Sequence, residues 1–211
     1  MPNDRPQIRP APVIRSPGTV DYQPTWDAMR EFTLKRTSAT ADEFWLLQHP
    51  PVYTVGLAGK PEHLPRSDNG IAVIHTDRGG QITYHGPGQI VVYCLVDLRR
   101  VGLGVRELVR RMERAVVHLL LEYGVDAGGR VDAPGVYVND AKIAALGLRI
   151  RNGCSYHGIA LNVDMDLTPF LAINPCGYPG LAVTQTRDLG VTDGAAILGP
   201  KLVQHLIDQI S

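Results

Sequence analysis

Residues 78–89, RGGQITYHGPGQ, constrain the fold more than any other stretch of the chain. Four glycines, one proline, two aromatic rings, an arginine and two glutamines fall within twelve residues. No ordinary core element has this composition. The stretch is entered from the apolar run 71–75 and left through the apolar run 90–96, which predicts strand, rigid loop or hairpin, strand, with 82–85 as a short strand inside. Glycine lets a backbone approach a bound molecule or take φ above zero, and Pro87 fixes φ. A ligand cradle and a glycine-rich turn both satisfy these features.

At 211 residues the chain suits one large domain, since domains usually span ~50–250 residues. Lys+Arg and Asp+Glu balance at 21 each, so no global field draws nucleic acid or an anionic membrane, and a macromolecular partner must be met by a local patch. The three cysteines, Cys94, Cys154 and Cys176, are odd in number and lack CxxC spacing, which suggests neither a disulfide framework nor a zinc site, and a reducing compartment. No signal-peptide run and no stretch of ~18 apolar residues is present; a soluble, cytoplasmic protein is expected. The histidines show no HxH or HExxH pattern, so no metal is expected. The glycines match neither GxxxxGK[ST] nor GxGxxG, which weighs against a nucleotide phosphate site.

Residues 1–20 hold five prolines and read as an extended N-terminal arm, with the domain proper at 21–211. Tyr22, Trp26, Met29 and Thr33 follow a helical period. Residues 43–48 and 51–56 read as strands around a turn at His49, Pro50 and Pro51. A second long helix shows Val105, Leu108, Val109, Met112, Val116, Leu119, Leu120 and Tyr123 at helical spacing, with Gly124 as its stop and Arg106, Arg110, Arg111 and Arg114 on or near the other face. Those arginines form a solvated face or a patch for an acidic partner. Runs 134–138, 142–150 and 156–163 predict three neighbouring strands, the last two joined by the hairpin signal Asn152-Gly153. Residues 166–170 read as a helical turn, and 200–210 as an amphipathic helix with Pro200 near its first turn. Helices separated by clustered strands argue α+β rather than a doubly wound sheet.

Three positions bear chemistry. Cys176 lies in the Gly/Pro loop 174–180, whereas Cys94 sits inside an apolar run and reads as a buried thiol; Cys176 is open to a nucleophilic or a structural role. Lys142 starts a mostly apolar strand and either faces a cleft or snorkels from the strand end. If the two meet, one ammonium at ~4 Å and an effective dielectric of ~20 offers about 4 kcal/mol. Mostly ionising a thiol of pKa ~8.5 at pH 7 needs about 2.7 kcal/mol. His85 and His157, each followed by glycine, fit a pocket wall, proton transfer or a hydrogen-bonded structural role.

Together, QHPPVYTVG at 48–56, RGGQITYHGPGQ at 78–89, KIAALG at 142–147, HGIALN at 157–162 and PCG at 175–177 closely resemble the lipoyl(octanoyl) transferase family. The match spans residues 22–184; Gln48 stands where an acidic residue is often seen. The resemblance implies a single α+β domain like the catalytic domain of biotin and lipoate protein ligases, with a mixed β-sheet flanked by helices. It implies an acyltransferase, of the class moving groups other than aminoacyl. Octanoyl passes from octanoyl-acyl carrier protein to a lysine of lipoyl domains, those of 2-oxoacid dehydrogenase complexes and of the glycine cleavage H protein. That is the first step of endogenous protein lipoylation. By this likeness Cys176 carries the acyl thioester and Lys142 lowers its pKa. Arg78, Gly79, Gly80, Gln81, Ile82, Thr83, Tyr84, His85, Ala145, Leu146, Gly147, His157, Gly158, Ile159 and Ala160 bind substrate, with Tyr84 and His85 facing the chain or its carbonyl. Transfer between thioesters is nearly balanced and thioester to amide runs downhill, so no cofactor is expected; a monomer is. An ATP-dependent ligase on the same fold, and a binding module without turnover, are the competing readings.

Overall fold

The computed structural model describes residues 10–65, 69–174 and 180–210. A seven-stranded mixed sheet runs β1-β2-β6-β10-β9-β8-β7, from β1 (Val13–Thr19), β2 (Glu43–Gln48), β6 (Gln89–Leu95), β10 (Cys154–Asn162), β9 (Ala141–Arg151), β8 (Gly135–Val138) and β7 (Gly128–Gly129). A three-stranded sheet, order β4-β3-β5, comprises β3 (Val52–Val55), β4 (Ala72–His75) and β5 (Ile82–His85). The helices are α1 (Tyr22–Lys35), α2 (Leu98–Val101), α3 (Val105–Leu121) and α4 (Ala195–Ile210).

Strand β6 shows why its sequence is apolar throughout. Ile90, Val92 and Cys94 join one core with Leu108, Met112 and Leu119 of α3 and Leu202 and Leu206 of α4. The alternate residues Val91, Tyr93 and Leu95 join a second core with Tyr22 and Met29 of α1. A strand covered on both faces loses the apolar–polar alternation. A third cluster, Tyr53, Val55, Ile82, Tyr84 and Phe170, fills the space beneath the small sheet.

The hairpin signal is realised: Asn152 (φ 51) and Gly153 (φ 75) both take left-handed backbone and close β9 onto β10, with Arg151 opposite Cys154. Asn139 (φ 47) and Asp140 (φ 68) turn β8 into β9 in the same manner, a turn that the Asn-Asp pair could have signalled. Gly124 (φ 71) follows the end of α3 as expected.

Two readings differ from the structure, the N-terminal arm and the place of Pro200, and one short strand carried no sequence signal. The arm enters the domain at Val13, where β1 pairs in parallel with β2 as an edge strand. The glycines Gly128 and Gly129 form a short edge strand on β8. Pro200 lies inside α4 rather than in its first turn. The preceding residue, Gly199, has no Cβ to meet the proline ring, and a Cβ there would press Leu46 at 3.0 Å; glycine therefore removes the usual pre-proline clash and lets the helix continue. No helix among the described residues is long and apolar enough to cross a membrane.

Candidate active site

A narrow cavity of about 50 Å³ lies where the loop before β5, and β5 itself, face strands β6, β9 and β10. Arg78, Gly80, Gln81, Ile82, Thr83 and His85 form one wall, with Tyr22 from α1. Val91 and Tyr93, then Ala145, Leu146 and Gly147, then His157, Gly158, Ile159 and Ala160 form the other. Packing is close at two glycines of the wall, and at Gly158 it requires glycine. A Cβ on Gly158 would lie 2.0 Å from the Val92 carbonyl oxygen, and one on Gly147 would meet Arg78 Cδ at 3.0 Å.

Two residues read from sequence as substrate contacts stand behind this wall. Tyr84 turns its ring toward Phe170 (centroids 5.5 Å) and Tyr53 (5.6 Å), inside the third core. Strand alternation accounts for this: Thr83 and His85 face the cavity, so Tyr84 faces away, as does Ile82, which borders the cavity but joins the same third core. Gly79 binds through its backbone, donating N–H to the Leu148 carbonyl at 2.8 Å.

A directional hydrogen-bond chain crosses the site. Arg78 donates from Nη2 to the Thr54 carbonyl (2.5 Å) and to Thr54 Oγ1 (2.9 Å), and from Nε to the same hydroxyl (3.2 Å). The hydroxyl then donates to His85 Nε2 at 3.3 Å, and His85 Nδ1 donates to Gln89 Oε1 at 2.7 Å. Gln89 Nε2 donates to the Tyr84 carbonyl (3.2 Å) and to Asn162 Oδ1 (2.9 Å), and Asn162 Nδ2 to the Thr184 carbonyl (3.0 Å). The terminal carbonyls only accept, so every orientation along the chain is determined and His85 is neutral. Burial lowers its pKa to about 3. His49 is neutral for the same reason, at about 4: Nδ1 donates to the Val20 carbonyl (2.6 Å), and Nε2 accepts from Tyr93 (2.7 Å).

A second cluster centres on Asp77. Burial works to raise its pKa, but hydrogen bonds from His157, Tyr156 and Trp26 outweigh that and hold the carboxyl well below the usual range. His157 Nε2 donates to it at 3.0 Å, Trp26 Nε1 at 2.9 Å, and the Tyr156 hydroxyl completes the set. Burial keeps the His157 imidazole neutral. Its backbone sits at φ 62 within β10, and its Nδ1 is buried with no hydrogen-bond partner among the described residues. Asp77, Thr54, Gln89, Asn162, His49 and Tyr93 were not among the residues singled out from sequence. They lie on five different strands or loops, and no local spacing links them.

Lys142 comes to this region by a bulge. Between β8 and β9, Val136 pairs with Ala144 but Tyr137 with Lys142, which leaves Ile143 as the extra residue and re-aims the lysine. Its side chain is buried, donates from Nζ to the Pro134 carbonyl at 3.1 Å and lies 5.2 Å from the Tyr137 ring centroid. Its backbone pairs with Ala182 (2.8 Å) and Thr184 (3.0 Å). A small adjoining cavity lined by Lys142, Gln89 and Asn162 shares Thr83 and Ala145 with the first. Cys176 lies outside the described residues. Gln48 uses its amide oxygen to accept the Gly88 N–H at 2.8 Å, tying the HGPG turn to β2; a carboxylate oxygen there could accept the same bond.

Residues 21–202 match the family model described as lipoyl protein ligase A/B catalytic domain. The chain belongs to that family. It is similar to an octanoyltransferase of Dechloromonas aromatica, 61% identical over 199 residues, covering 94% of this chain and 97% of that one. It is also similar to an octanoyltransferase of Nitrosospira multiformis, 64% identical over 193 residues, covering 92% and 89%. Among solved structures, a bi-partite lipoate protein ligase from Thermoplasma acidophilum superposes with a TM-score of 0.73 at 17% identity, covering 94% of this chain and 84% of that one. A biotin protein ligase from Aquifex aeolicus follows at 0.55 and 10%, covering 96% and 69%. The lipoyl protein ligase A/B fold is therefore the expected mixed sheet with flanking helices, and its catalytic-domain family makes the chain an enzyme.

Proposed function

We propose that the enzyme moves an octanoyl group from the phosphopantetheine thioester of an acyl carrier protein to a lysine of a lipoyl domain, through a thioester on Cys176. Its identity to octanoyltransferases, above 60% over nearly the whole chain, supports the transferred group. The observation that carries the site is Lys142, buried beside the cavity and re-aimed by the Ile143 bulge. In this reading its ammonium favours the Cys176 thiolate, which attacks the donor carbonyl. The bond from that carbon to the pantetheine sulfur breaks, and the released thiolate takes a proton. The lipoyl-domain lysine then attacks the acyl-cysteine as its free amine. A carbon–nitrogen bond forms, the amine loses a proton, and Cys176 leaves as thiolate. Octanoyl lies between the loop 78–85 and residues 145–147 and 158–160, with Thr83, Ala145, Ile159 and Ala160 against the methylenes. The acceptors are lipoyl domains of 2-oxoacid dehydrogenase complexes and the glycine cleavage H protein, served by a monomer in the cytoplasm.

Transfer measured with octanoyl-carrier protein and a lipoyl domain, with and without ATP, tests this. ATP-independent transfer abolished in Cys176→Ala is expected. ATP-dependent transfer of free octanoate, insensitive to that substitution, would mark a ligase instead.

A further inference from the structure

One peptide group stands between an acidic and a basic side chain. The carbonyl of Pro134 accepts from Lys142 Nζ at 3.1 Å. The N–H of the same peptide, that of Gly135, donates to Glu113 Oε1 of α3 at 2.9 Å. The path from carboxylate to ammonium is therefore two hydrogen bonds and one peptide, roughly 8 Å end to end. Opposite charges at the two ends polarise the peptide in the same sense, so each bond strengthens the other.

The sheet makes room for this arrangement. The β7–β8 ladder ends where Gly129 meets Val136, and the Gly135 N–H takes its partner from α3 instead. A Cβ on Gly129 would stand 2.9 Å from Glu113 Oε2, and one on Gly135 would stand 3.0 Å from Lys142 Nζ. The two glycines leave space for the two charged side chains. The carbonyl before this peptide, that of Ala133, is already held by the Tyr137 hydroxyl at 2.8 Å. The peptide itself adjoins a glycine, which allows it to turn, and the Glu113 bond holds the orientation that aims the Pro134 carbonyl at the lysine.

Burial works to raise the Glu113 carboxyl's pKa, and the Gly135 N–H, Lys142 and Arg110 work against it. Arg110 on α3 and Asp132, on the loop leading into the peptide, are exposed, where water and salt screen them. Lys142 is buried. It faces the Tyr137 ring, which carries Arg130 at 4.3 Å, and the neutral side chains of Thr83, Gln89 and Asn162 across the small cavity.

We propose that Glu113 is a positioning residue for Lys142: acting through the Pro134–Gly135 peptide, it fixes the place of the ammonium and keeps it charged. Its bearing on acyl transfer rests on Lys142 being the partner of Cys176. A carboxylate that merely tied β8 to α3 could be replaced by its amide with no effect on the lysine.

Glu113→Gln keeps an oxygen for the Gly135 N–H and removes the charge, whereas Glu113→Ala removes both. The chain has four lysines, Lys35, Lys60, Lys142 and Lys201. NMR of enzyme isotopically labelled at lysine Cε therefore reads Lys142 without turnover, its signal assigned by its loss in Lys142→Ala. In E113Q that signal is expected to pass to the free-amine position at lower pH than in wild type. The alkaline limb of kcat/KM for octanoyl-carrier protein should move to lower pH with it, lowering the rate on that limb at least about threefold. At neutral pH, with the hydrogen bond kept, E113Q should stay within about threefold of wild type. E113A, with the peptide free to turn, is expected to lose at least about tenfold at every pH. A Lys142 titration unchanged in folded E113Q overturns the electrostatic hold, and a wild-type rate in folded E113A overturns the positioning. Should E113A fail to fold, E113Q decides alone. A shifted lysine signal in an enzyme that forms no acyl-cysteine upholds the link from Glu113 to Lys142 and defeats the proposed reaction instead.

Discussion

Gly135 leaves the space through which Lys142 passes. A Cβ there would lie 2.5 Å from the lysine Cε and 2.8 Å from the Ala144 carbonyl oxygen, and the glycine sits at φ 149, a conformation that other residues rarely adopt. Gly135→Ala should displace the ammonium without touching its charge. Octanoyl transfer is expected to drop at least about tenfold, as misplacing a group by an ångström does elsewhere. Alkylation of Cys176 by iodoacetamide, followed against pH, should move to higher pH. A wild-type rate and profile would show that Lys142 acts from somewhere other than this position.

Gln89 is the crossing point of the buried hydrogen-bond chain, bonded to His85, the Tyr84 carbonyl and Asn162 at once. Gln89→Leu removes a donor and an acceptor while keeping volume, leaving His85 Nδ1–H and Asn162 Oδ1 without partners. Each stranded group costs about 1–3 kcal/mol, so urea unfolding should show a loss of roughly 2–4 kcal/mol. A change below about 1 kcal/mol would mean that other groups or water replace the amide.

Acid should weaken the fold well before its carboxylates titrate. Burial lowers His85 to about 3 and His49 to about 4, against ~6.5 in an unfolded chain. The unfolded state therefore binds more protons between those values, so stability is complete above pH ~6.5 and falls as pH drops toward the folded pKa values. Between pH 7 and pH 5 the two histidines together should cost about 3–4 kcal/mol. Denaturant unfolding at the two pH values checks this, and equal stability would contradict the neutral assignment of both rings.

Local chemistry was legible in the sequence wherever it acts over a few residues. Asn152-Gly153 specified its turn, the spacing from Val105 to Leu120 specified a helix, and the 78–89 stretch indicated a rigid loop around a short strand; the structure has all three. The β1 pairing was not legible, because Val13 and Ile14 are exposed on an edge strand and carry no buried pattern. Pro200 misled because its context, a glycine packed on Leu46, is tertiary.

The site divides along the same line. Its wall residues lie in contiguous motifs, so Arg78, His85, Ala145, Gly147 and His157 could be named in advance, and all five line one cavity. Asp77 and Thr54 could not, since each acts on a partner brought close only by folding: Asp77 on His157, 80 residues away, and Thr54 on Arg78, 24 away. Tyr84 was misdirected because motif membership says nothing about which side of a strand a residue faces. The alternation of β5 turns it into the core with Phe170.

In the proposed reaction, acyl transfer proceeds through a thioester on Cys176 assisted by Lys142. Mixing the enzyme with octanoyl-carrier protein without a lipoyl domain, then measuring intact mass and mapping the modified peptide, tests it most directly. One octanoyl group on Cys176 is expected, absent in Cys176→Ser, slow to form in Lys142→Ala, and discharged when a lipoyl domain is added. An unmodified enzyme that still transfers octanoyl, or a label on any other residue that discharges to the lipoyl domain, would contradict it.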